Sequence, residues 1–224
     1  MSIENIIIWA EQSRGQRQEL LQRPAVKAGE DIAATVSGIV ERVREAGDSA
    51  LFEITRELDK ASLDSLRVTD AEAAAAEQAL NEQQKSAIQT AISNISAFHS
   101  AQKSEPISVE TTAGVVCERI TRAIEAVGLY VPAGSAPLPS TAIMLCVPAT
   151  LAGCARPVLC TPPRPDGAAD PAVVYAARSC GVDEIYKLGG AQAVAAMAYG
   201  TESVPKVDKI FGPGNAWVTA AKTQ

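Results

Sequence analysis

The chain has 224 residues, of which 47% are hydrophobic and 21% are charged, and its formal net charge is -6. This length is sufficient to bury a sizeable core, and the composition is that of a folded globular protein and not of a disordered chain. The acidic balance argues against a general nucleic-acid binder, because binding to phosphates through counterion release needs a basic surface.

Apolar runs and cysteines indicate the cellular setting. The longest apolar stretch, STAIMLCVPATLAGC, contains a proline and is too short to span a bilayer. The N-terminus carries an acidic residue before its apolar patch in place of a basic leader. The five cysteines, an odd number in a long chain, favour reduced core residues over a disulfide framework. We therefore expect a cytoplasmic protein with no membrane or nucleic-acid partner.

The first half of the chain has the patterns of helices. Apolar residues recur at three- and four-residue spacing at Ile32, Val36, Ile39, Val40 and Val43. This stripe predicts an amphipathic helix with a break at Gly47. Further on, Thr69 and Glu72 have the spacing of a capping box and predict a helix start. A long helix should follow, with four apolar residues facing inward, namely Ile88, Ile92, Ile95 and Phe98.

The pattern then changes to that of strands. The segment ISVETTAGVVCERI alternates apolar and polar residues about an Ala-Gly turn and predicts a β-hairpin. Four short apolar segments follow, each ending in Gly or Pro and each preceding a helical stretch: AVGLYVP, RPVLCTP, EIYKLGG and DKIFGPG. Strand–helix alternation predicts an α/β fold with a Rossmann-like parallel sheet flanked by helices, preceded by a helical segment and the hairpin.

Ligands of such sheets bind beyond the carboxyl ends of the strands, where glycine-containing loops converge. LGGAQ and GPGN both place glycine between a strand and a helix, where a backbone can approach a phosphate and helix N–H groups can bind it. Neither is the dinucleotide fingerprint, because position 217 is Trp217 and not glycine. The pattern leaves two interpretations open, a nucleotide site or glycines that only form tight turns.

Other candidate sites are less well supported. His99, near a helix end, is predicted to be a packed or helix-terminal residue. Cys154 and Cys160 are too far apart for a zinc knuckle. Cys117 or Cys154 would be needed for a cysteine nucleophile, but we expect both to be core thiols. An unrelated enzyme of phosphate substrates would need a lysine such as Lys187 or Lys209, which we expect at solvated strand edges.

Three segments carry a family resemblance: VGLYVPAGSAPLPSTAIMLCVPATLAGC, LGGAQAVAAMAYGTESVPKVDKIFGPGNAWV and FHSAQK. Together they resemble histidinol dehydrogenase, the enzyme family that ends histidine biosynthesis, and the GTESVPKVDKIFGPGN stretch is highly specific. The similarity runs from near the N-terminus to Gln224. Since the chain stops at about the midpoint of that family's length, we expect a truncated, N-terminal half of such an enzyme.

The resemblance implies a homodimeric, zinc-containing oxidoreductase that converts L-histidinol to L-histidine through the aldehyde, with two NAD in succession. The family's NAD contacts that fall in this half correspond to Tyr130, Gln192 and Asn215. Its zinc ligands and its Glu-His acid–base pair belong to the other half, so we expect no catalytic or metal residue here and no activity from this chain alone. The alternative is a non-catalytic nucleotide-binding or dimerisation module.

Each of the three NAD positions also has a purely structural interpretation. Tyr130 could be a half-buried strand aromatic with its hydroxyl at the surface. Asn215 could only cap its helix, and Gln192 could be solvated in the first turn of its helix. The expected organisation is an N-terminal arm over 1–24, a helical segment with the hairpin over 25–125 as part of a first α/β domain, and a Rossmann-like NAD domain over 126–224, truncated at its C-terminal end.

Overall fold

The protein is described by a computed structural model that covers residues 7–21, 29–133 and 136–224. Only part of the predicted N-terminal arm falls within these ranges. That part contains a 3₁₀ turn at Trp9–Glu11 and helix α1 at Arg14–Leu20, which Ser13 caps. The remainder of the arm, and positions 134–135 of the YVPAGSAPLPS loop, lie outside the described residues.

Helix α2 (Gly29–Ile54) is bent at Gly47, where φ is 51° and ψ is -131°. The bend divides the helix where the sequence predicts a break. The apolar stripe before the bend is confirmed, because Ile32 packs against the core and the other members are buried: Val36, Ile39, Val40 and Val43. A π-helical turn, Thr55–Asp59, continues the helix and ends at Lys60, the one non-glycine residue of the described chain with positive φ.

Helices α3 (Asp70–Gln78) and α4 (Glu82–Ser100) both begin with a capping box. In the predicted one, the Thr69 hydroxyl accepts from the Glu72 N–H, and the Glu72 carboxylate accepts from the Thr69 N–H at 2.7 Å. Reciprocal bonds of this kind satisfy two N–H groups that a helix start leaves unpaired. The sequence therefore located the start of α3 correctly.

The inward face of α4 differs from the prediction at one position. Ile88 is buried, and Ile92 and Ile95 pack against the core, but Phe98 is 66% exposed. At about 100° per residue, Phe98 is rotated roughly 80° from Ile88 around the helix. Its ring instead lies edge-to-face against His99, with centroids 5.8 Å apart. His99 is in the last turn of α4, as expected.

The predicted hairpin is formed by β1 (Ile107–Thr112) and β2 (Val115–Arg119), which pair antiparallel. Every residue of both strands is exposed. Cys117, in β2, is therefore an exposed thiol. The prediction that it is a core cysteine is wrong, because the hairpin does not have one face on a core.

The second half of the chain forms the predicted parallel sheet. Its strands are β3 (Ala126–Tyr130), β4 (Arg156–Thr161), β5 (Glu184–Lys187) and β6 (Lys209–Phe211), in the order β5-β4-β3-β6. The helices that follow them are α5 (Pro139–Ala152), α6 (Pro171–Ser179), α7 (Gly190–Tyr199) and α8 (Ala216–Lys222). The fold is thus a mixed α/β structure with a parallel sheet flanked by helices and a separate antiparallel hairpin.

The outer edge of β5 is covered by a segment that the sequence pattern did not identify. Arg67 bridges Tyr186 in antiparallel sense, with Val68 N–H bonded to the Ile185 carbonyl. Lys187 N–H bonds to the Leu66 carbonyl on the other side of that bridge. The helical segment therefore contributes backbone hydrogen bonds to the sheet.

Lys187 also differs from the prediction. It is only 4% exposed, and its ammonium group lies 2.5 Å from the carboxylate of Glu72. The expectation of a solvated strand edge is wrong, because the segment before α3 covers that edge and brings Glu72 over it. Lys209, at the start of β6, is exposed as expected.

Side chains of the sheet alternate between two cores, as the pleat requires. Tyr130 and Cys160 lie in the core that also contains α2 and α7 residues. Val127 and Leu129 lie in the opposite core, together with residues of α3, α5 and α6. Tyr130 thus belongs to the face of the sheet that α2 and α7 cover.

Candidate functional site

The three sequence-predicted positions lie at the carboxyl ends of the strands. Tyr130 is the last residue of β3, Gln192 is in the first turn of α7 after β5, and Asn215 is the N-cap of α8 after β6. Because the four strands are parallel and lie in the order β5-β4-β3-β6, the residues at their carboxyl ends lie along the same edge of the sheet. This is the edge at which open α/β sheets bind ligands.

Tyr130 connects β3 to the start of α7. The residue is 3% exposed, and its hydroxyl oxygen accepts a hydrogen bond of 3.0 Å from the Gly190 N–H. Its interpretation as an aromatic with a surface hydroxyl is therefore wrong. Burial raises the pKa of Tyr130, although the bond from Gly190 opposes this. The neutral hydroxyl retains a proton that it can donate.

Gln192 is 2% exposed, so its interpretation as a solvated residue is also wrong. Its Nε2 donates to Asp59 Oδ2 at 3.2 Å. Its Oε1 is buried and has no hydrogen-bond partner among the described residues. A buried acceptor left unpaired costs about 1–3 kcal/mol. Such a group needs a specific explanation, since most buried polar atoms are bonded.

The two glycines of LGGAQ allow this close arrangement. Gly190 has φ 57°, and a Cβ there would lie 2.9 Å from Gln192 Oε1. A Cβ at Gly189 would lie 2.8 Å from Pro162 and 3.2 Å from Asp59 Oδ1. Glycine at position 189 therefore lets the start of α7 approach Asp59. Glycine at position 190 leaves room for the side chain of Gln192 to lie against the first turn of α7.

Asp59 is the residue of this cluster that the sequence did not indicate. It lies at the end of the π-helical turn after α2 and is half-buried. Burial raises its pKa to about 6, and the hydrogen bond from Gln192 acts in the opposite direction. In the sequence, the RELDK stretch resembles any polar helix end, and no local residue pattern distinguishes Asp59 from the other charged residues there.

The GPGN loop is held mainly by packing within the chain. Gly212 has φ 133°, and a Cβ there would collide with the Tyr130 backbone. A Cβ at Gly214 would collide with the Val218 side chain. Asn215 Oδ1 accepts from the N–H groups of Trp217 at 3.1 Å and of Val218 at 3.2 Å. Asn215 therefore caps α8, and its exposed amide retains two N–H donors.

Potential metal ligands do not cluster among the described residues, and three of the five cysteines are buried. Within 7–21, 29–133 and 136–224, no group of three or more His, Cys, Asp or Glu side chains is placed to hold a metal ion. All five cysteines are free. Burial raises the pKa of the Cys146 and Cys160 thiols, and that of Cys180 to about 11, which disfavours the reactive thiolate.

No helix in the described part of the chain could cross a membrane.

A cavity of about 700 Å³ opens elsewhere, between α4, α5 and β6. Its lining is largely apolar and includes Leu129, Pro148 and Phe211, with His99 at its margin. Because Leu129 and Tyr130 point to opposite faces of the sheet, this cavity is separate from the cluster around Gln192.

A model of the histidinol dehydrogenase family matches residues 21–224. The chain belongs to the histidinol dehydrogenase family. It is 54% identical over 218 residues to histidinol dehydrogenase of Vibrio cholerae, a match that covers 97% of this chain and 50% of that protein. The relative from Photobacterium profundum is also 54% identical, with 48% of its length covered.

A crystal structure of histidinol dehydrogenase from Elizabethkingia anophelis has the same fold. It superposes with a TM-score of 0.88 at 47% sequence identity and covers 95% of this chain. The match extends over 49% of that protein. This chain therefore spans about half the length of the histidinol dehydrogenases that it matches, and those relatives belong to an oxidoreductase family.

Proposed function

We propose that this chain is the NAD-binding half of a histidinol dehydrogenase, the whole of which oxidises L-histidinol to L-histidine through the aldehyde. Tyr130, Gln192 and Asn215 contact the dinucleotide in this proposal. The observation that supports it most is the buried, unpartnered Oε1 of Gln192, next to Tyr130 at the carboxyl edge of the sheet. A ligand bound there would satisfy an acceptor that the described residues leave unpaired.

The donors and acceptors of this edge fit a nicotinamide dinucleotide. Gln192 Oε1 can accept from a ribose hydroxyl or an amide N–H, and the Tyr130 hydroxyl and Asn215 amide can donate to phosphate or carbonyl oxygens. When bound, NAD takes up the hydride that leaves the carbon bearing the substrate hydroxyl. The residues of this chain bind the cofactor and fix its orientation.

Zinc does not fit the described residues. They contain no cluster of metal-ligating side chains. We propose that the metal and the acid–base groups of the family reaction lie in the half of the relatives that this chain does not span. On this proposal, the chain alone binds NAD and does not produce NADH from L-histidinol.

Calorimetric titration with NAD tests the proposal. We expect binding by the parent chain, and at least about tenfold weaker binding after Gln192→Ala or Asn215→Ala, because one hydrogen bond to a buried or polar partner is worth about 1.5 kcal/mol. Asn94→Ala, an exposed position on α4, is the matched control and should bind as the parent does. A folded parent that gives no heat with NAD would overturn the proposal.

A second candidate is a dimerisation module, and the hairpin favours it. Apolar residues on both strands are exposed, among them Val109 at 50% and Val116 at 59%. A two-stranded sheet alone is marginally stable in water, so a partner surface would stabilise it. In this proposal, the homodimer that the family resemblance implies also forms through the hairpin. Light scattering distinguishes the states, and Val109→Lys with Val116→Lys should convert a dimer into a monomer.

A further inference from the structure

We propose that Asp59 is a positioning residue, which orients the side-chain amide of Gln192 so that Oε1 faces a hydrogen-bond donor of the bound nucleotide. This inference rests on the proposed NAD site and extends it to the helical segment before the sheet. Its basis is the bond from Gln192 Nε2 to Asp59 Oδ2 at 3.2 Å, together with the unpaired Oε1 at the other side of the same amide.

The chemistry of a carboxylate fixes the direction of the amide. An ionised Asp59 has acceptors only, so the NH₂ end of Gln192 must face it. Oε1 is then held on the opposite side, where a ligand donor can reach it. The two ends of the amide are similar in shape. Without the carboxylate, the side chain can therefore rotate by about 180° and present its NH₂ group to the ligand in place of Oε1.

Among the described residues, no donor bonds to Oε1. The backbone N–H of Gly190, in the same turn, is already bonded to the Tyr130 hydroxyl. Gln192 is 2% exposed, so bulk water does not solvate the residue freely. On this proposal, the group that pairs with Oε1 is a hydroxyl or an N–H of the nucleotide, as carried by ribose, carboxamide and adenine.

Protonation of Asp59 would reverse this arrangement. Burial raises the pKa of Asp59 to about 6, and a neutral carboxyl can donate to Oε1 and draw it away from the ligand. Burial raises the pKa of Tyr130, which lies on β3, and of Cys160, which lies on β4. Both side chains therefore stay neutral over this pH range. Lys60, on the same turn, donates to the Glu57 carbonyl.

The test is the dissociation constant of NAD measured by calorimetry between about pH 5 and about pH 8, the range in which a group of pKa near 6 titrates. The parent affinity should weaken up to about tenfold per pH unit below about pH 6. Asp59→Asn should bind about tenfold more weakly at neutral pH, because its amide no longer selects one orientation of Gln192, and should show a flat pH profile. Asp64→Asn, an exposed carboxylate of the following segment, is the matched control and should follow the parent.

The outcomes separate this inference from the proposed function. Absence of NAD binding by the parent at every pH overturns both. Binding that Gln192→Ala weakens but Asp59→Asn leaves unchanged, with the parent's pH profile, overturns the role of Asp59 alone. If Asp59→Asn does not fold by circular dichroism, the parent profile decides, and a constant affinity across the range overturns the inference. Asp59→Glu, which keeps the charge, should retain a pH-dependent profile.

Discussion

The carboxylate of Glu202 accepts a hydrogen bond of 2.8 Å from the backbone N–H of Asp48, 154 positions earlier in the chain. Asp48 follows the bend at Gly47, so Glu202 caps the second half of α2. Asp48 in turn accepts from the Thr201 hydroxyl at 2.6 Å and from the N–H and hydroxyl of Ser203. The GTES stretch, the first part of the highly specific GTESVPKVDKIFGPGN segment, thus attaches the end of α7 to α2.

Removal of this cap should lower the stability of the chain. Glu202→Ala leaves the Asp48 N–H without its acceptor, and loss of a helix cap costs about 1 kcal/mol. Glu202→Gln keeps an oxygen that can accept the same bond and should lose less. Urea unfolding monitored by circular dichroism measures the free energy of unfolding of each variant. Equal stability of Glu202→Ala and the parent would show that this contact does not support α2.

Gly190→Ala should weaken NAD binding as well as stability. Gly190 has φ 57°, a conformation that costs a non-glycine residue about 1–2 kcal/mol, and the added Cβ would lie 2.9 Å from Gln192 Oε1. Gly181→Ala is the matched control, since φ is 80° there and an added Cβ meets no atom of the described chain within 4 Å. Both variants should unfold more easily, but only Gly190→Ala should lose affinity. Equal NAD affinity in the two would contradict the crowding of Gln192.

The ion pair between Lys187 and Glu72 should give the chain a pH-dependent stability. Burial raises the pKa of Glu72, but hydrogen bonds from Lys187 and Thr69 outweigh it, so its pKa lies below the ordinary 4.5. A carboxylate with a lowered folded-state pKa contributes stability above its unfolded value and loses it as pH falls through the folded one.

Lys187→Met should therefore cost about 1–2 kcal/mol at neutral pH, a value reduced because Glu72 is 34% exposed. The difference in free energy of unfolding between the variant and the parent should persist as the pH falls to the ordinary glutamate pKa of 4.5, and should shrink at lower pH. Lys209→Met, at an exposed lysine of β6, is the control and should leave stability almost unchanged. A difference that does not change with pH would show that the lost stability comes from packing and not from charge.

Native thiol labelling should distinguish the cysteines. Cys117 is exposed in the hairpin, whereas Cys146 and Cys160 are buried and burial raises their pKa. With a disulfide reagent at about pH 8, Cys117 should react rapidly and the two buried thiols only after unfolding. Cys117→Ser should remove the rapid phase of labelling. A rapid phase that remains in this variant would mean that a second thiol is accessible.

Local sequence patterns predicted the parts of the fold that depend on local chemistry. The capping box at Thr69, the bend at Gly47 and the four strands were located because propensity, turn residues and periodicity act over a few positions. The pairs Lys187–Glu72 and Gln192–Asp59 join positions 115 and 133 apart, and were not predicted. They depend on where the helical segment lies on the sheet, which no local pattern encodes. The domain boundary between 125 and 126 stays a prediction.

The same contrast between local patterns and long-range contacts applies to the site residues. The strand ends were predictable, so Tyr130, Gln192 and Asn215 were expected at one edge of the sheet. Their roles as NAD contacts came from the family resemblance and remain proposals. The burial of Gln192 and its unpaired oxygen could not be inferred from LGGAQ, because the carboxylate that holds the amide comes from another part of the chain.

The second half of α2 is attached to α7 at both of its ends. Asp48 is bonded to residues just after the last turn of α7, and Asp59 to Gln192 in its first turn, so the two helices lie antiparallel. A slip of one residue would move one helix by about 1.5 Å along the other and break both sets of bonds together. The bonds of Thr201, Glu202 and Ser203 to Asp48 at one end of the helix pair, and of Gln192 to Asp59 at the other, therefore fix how far the two helices are shifted along each other.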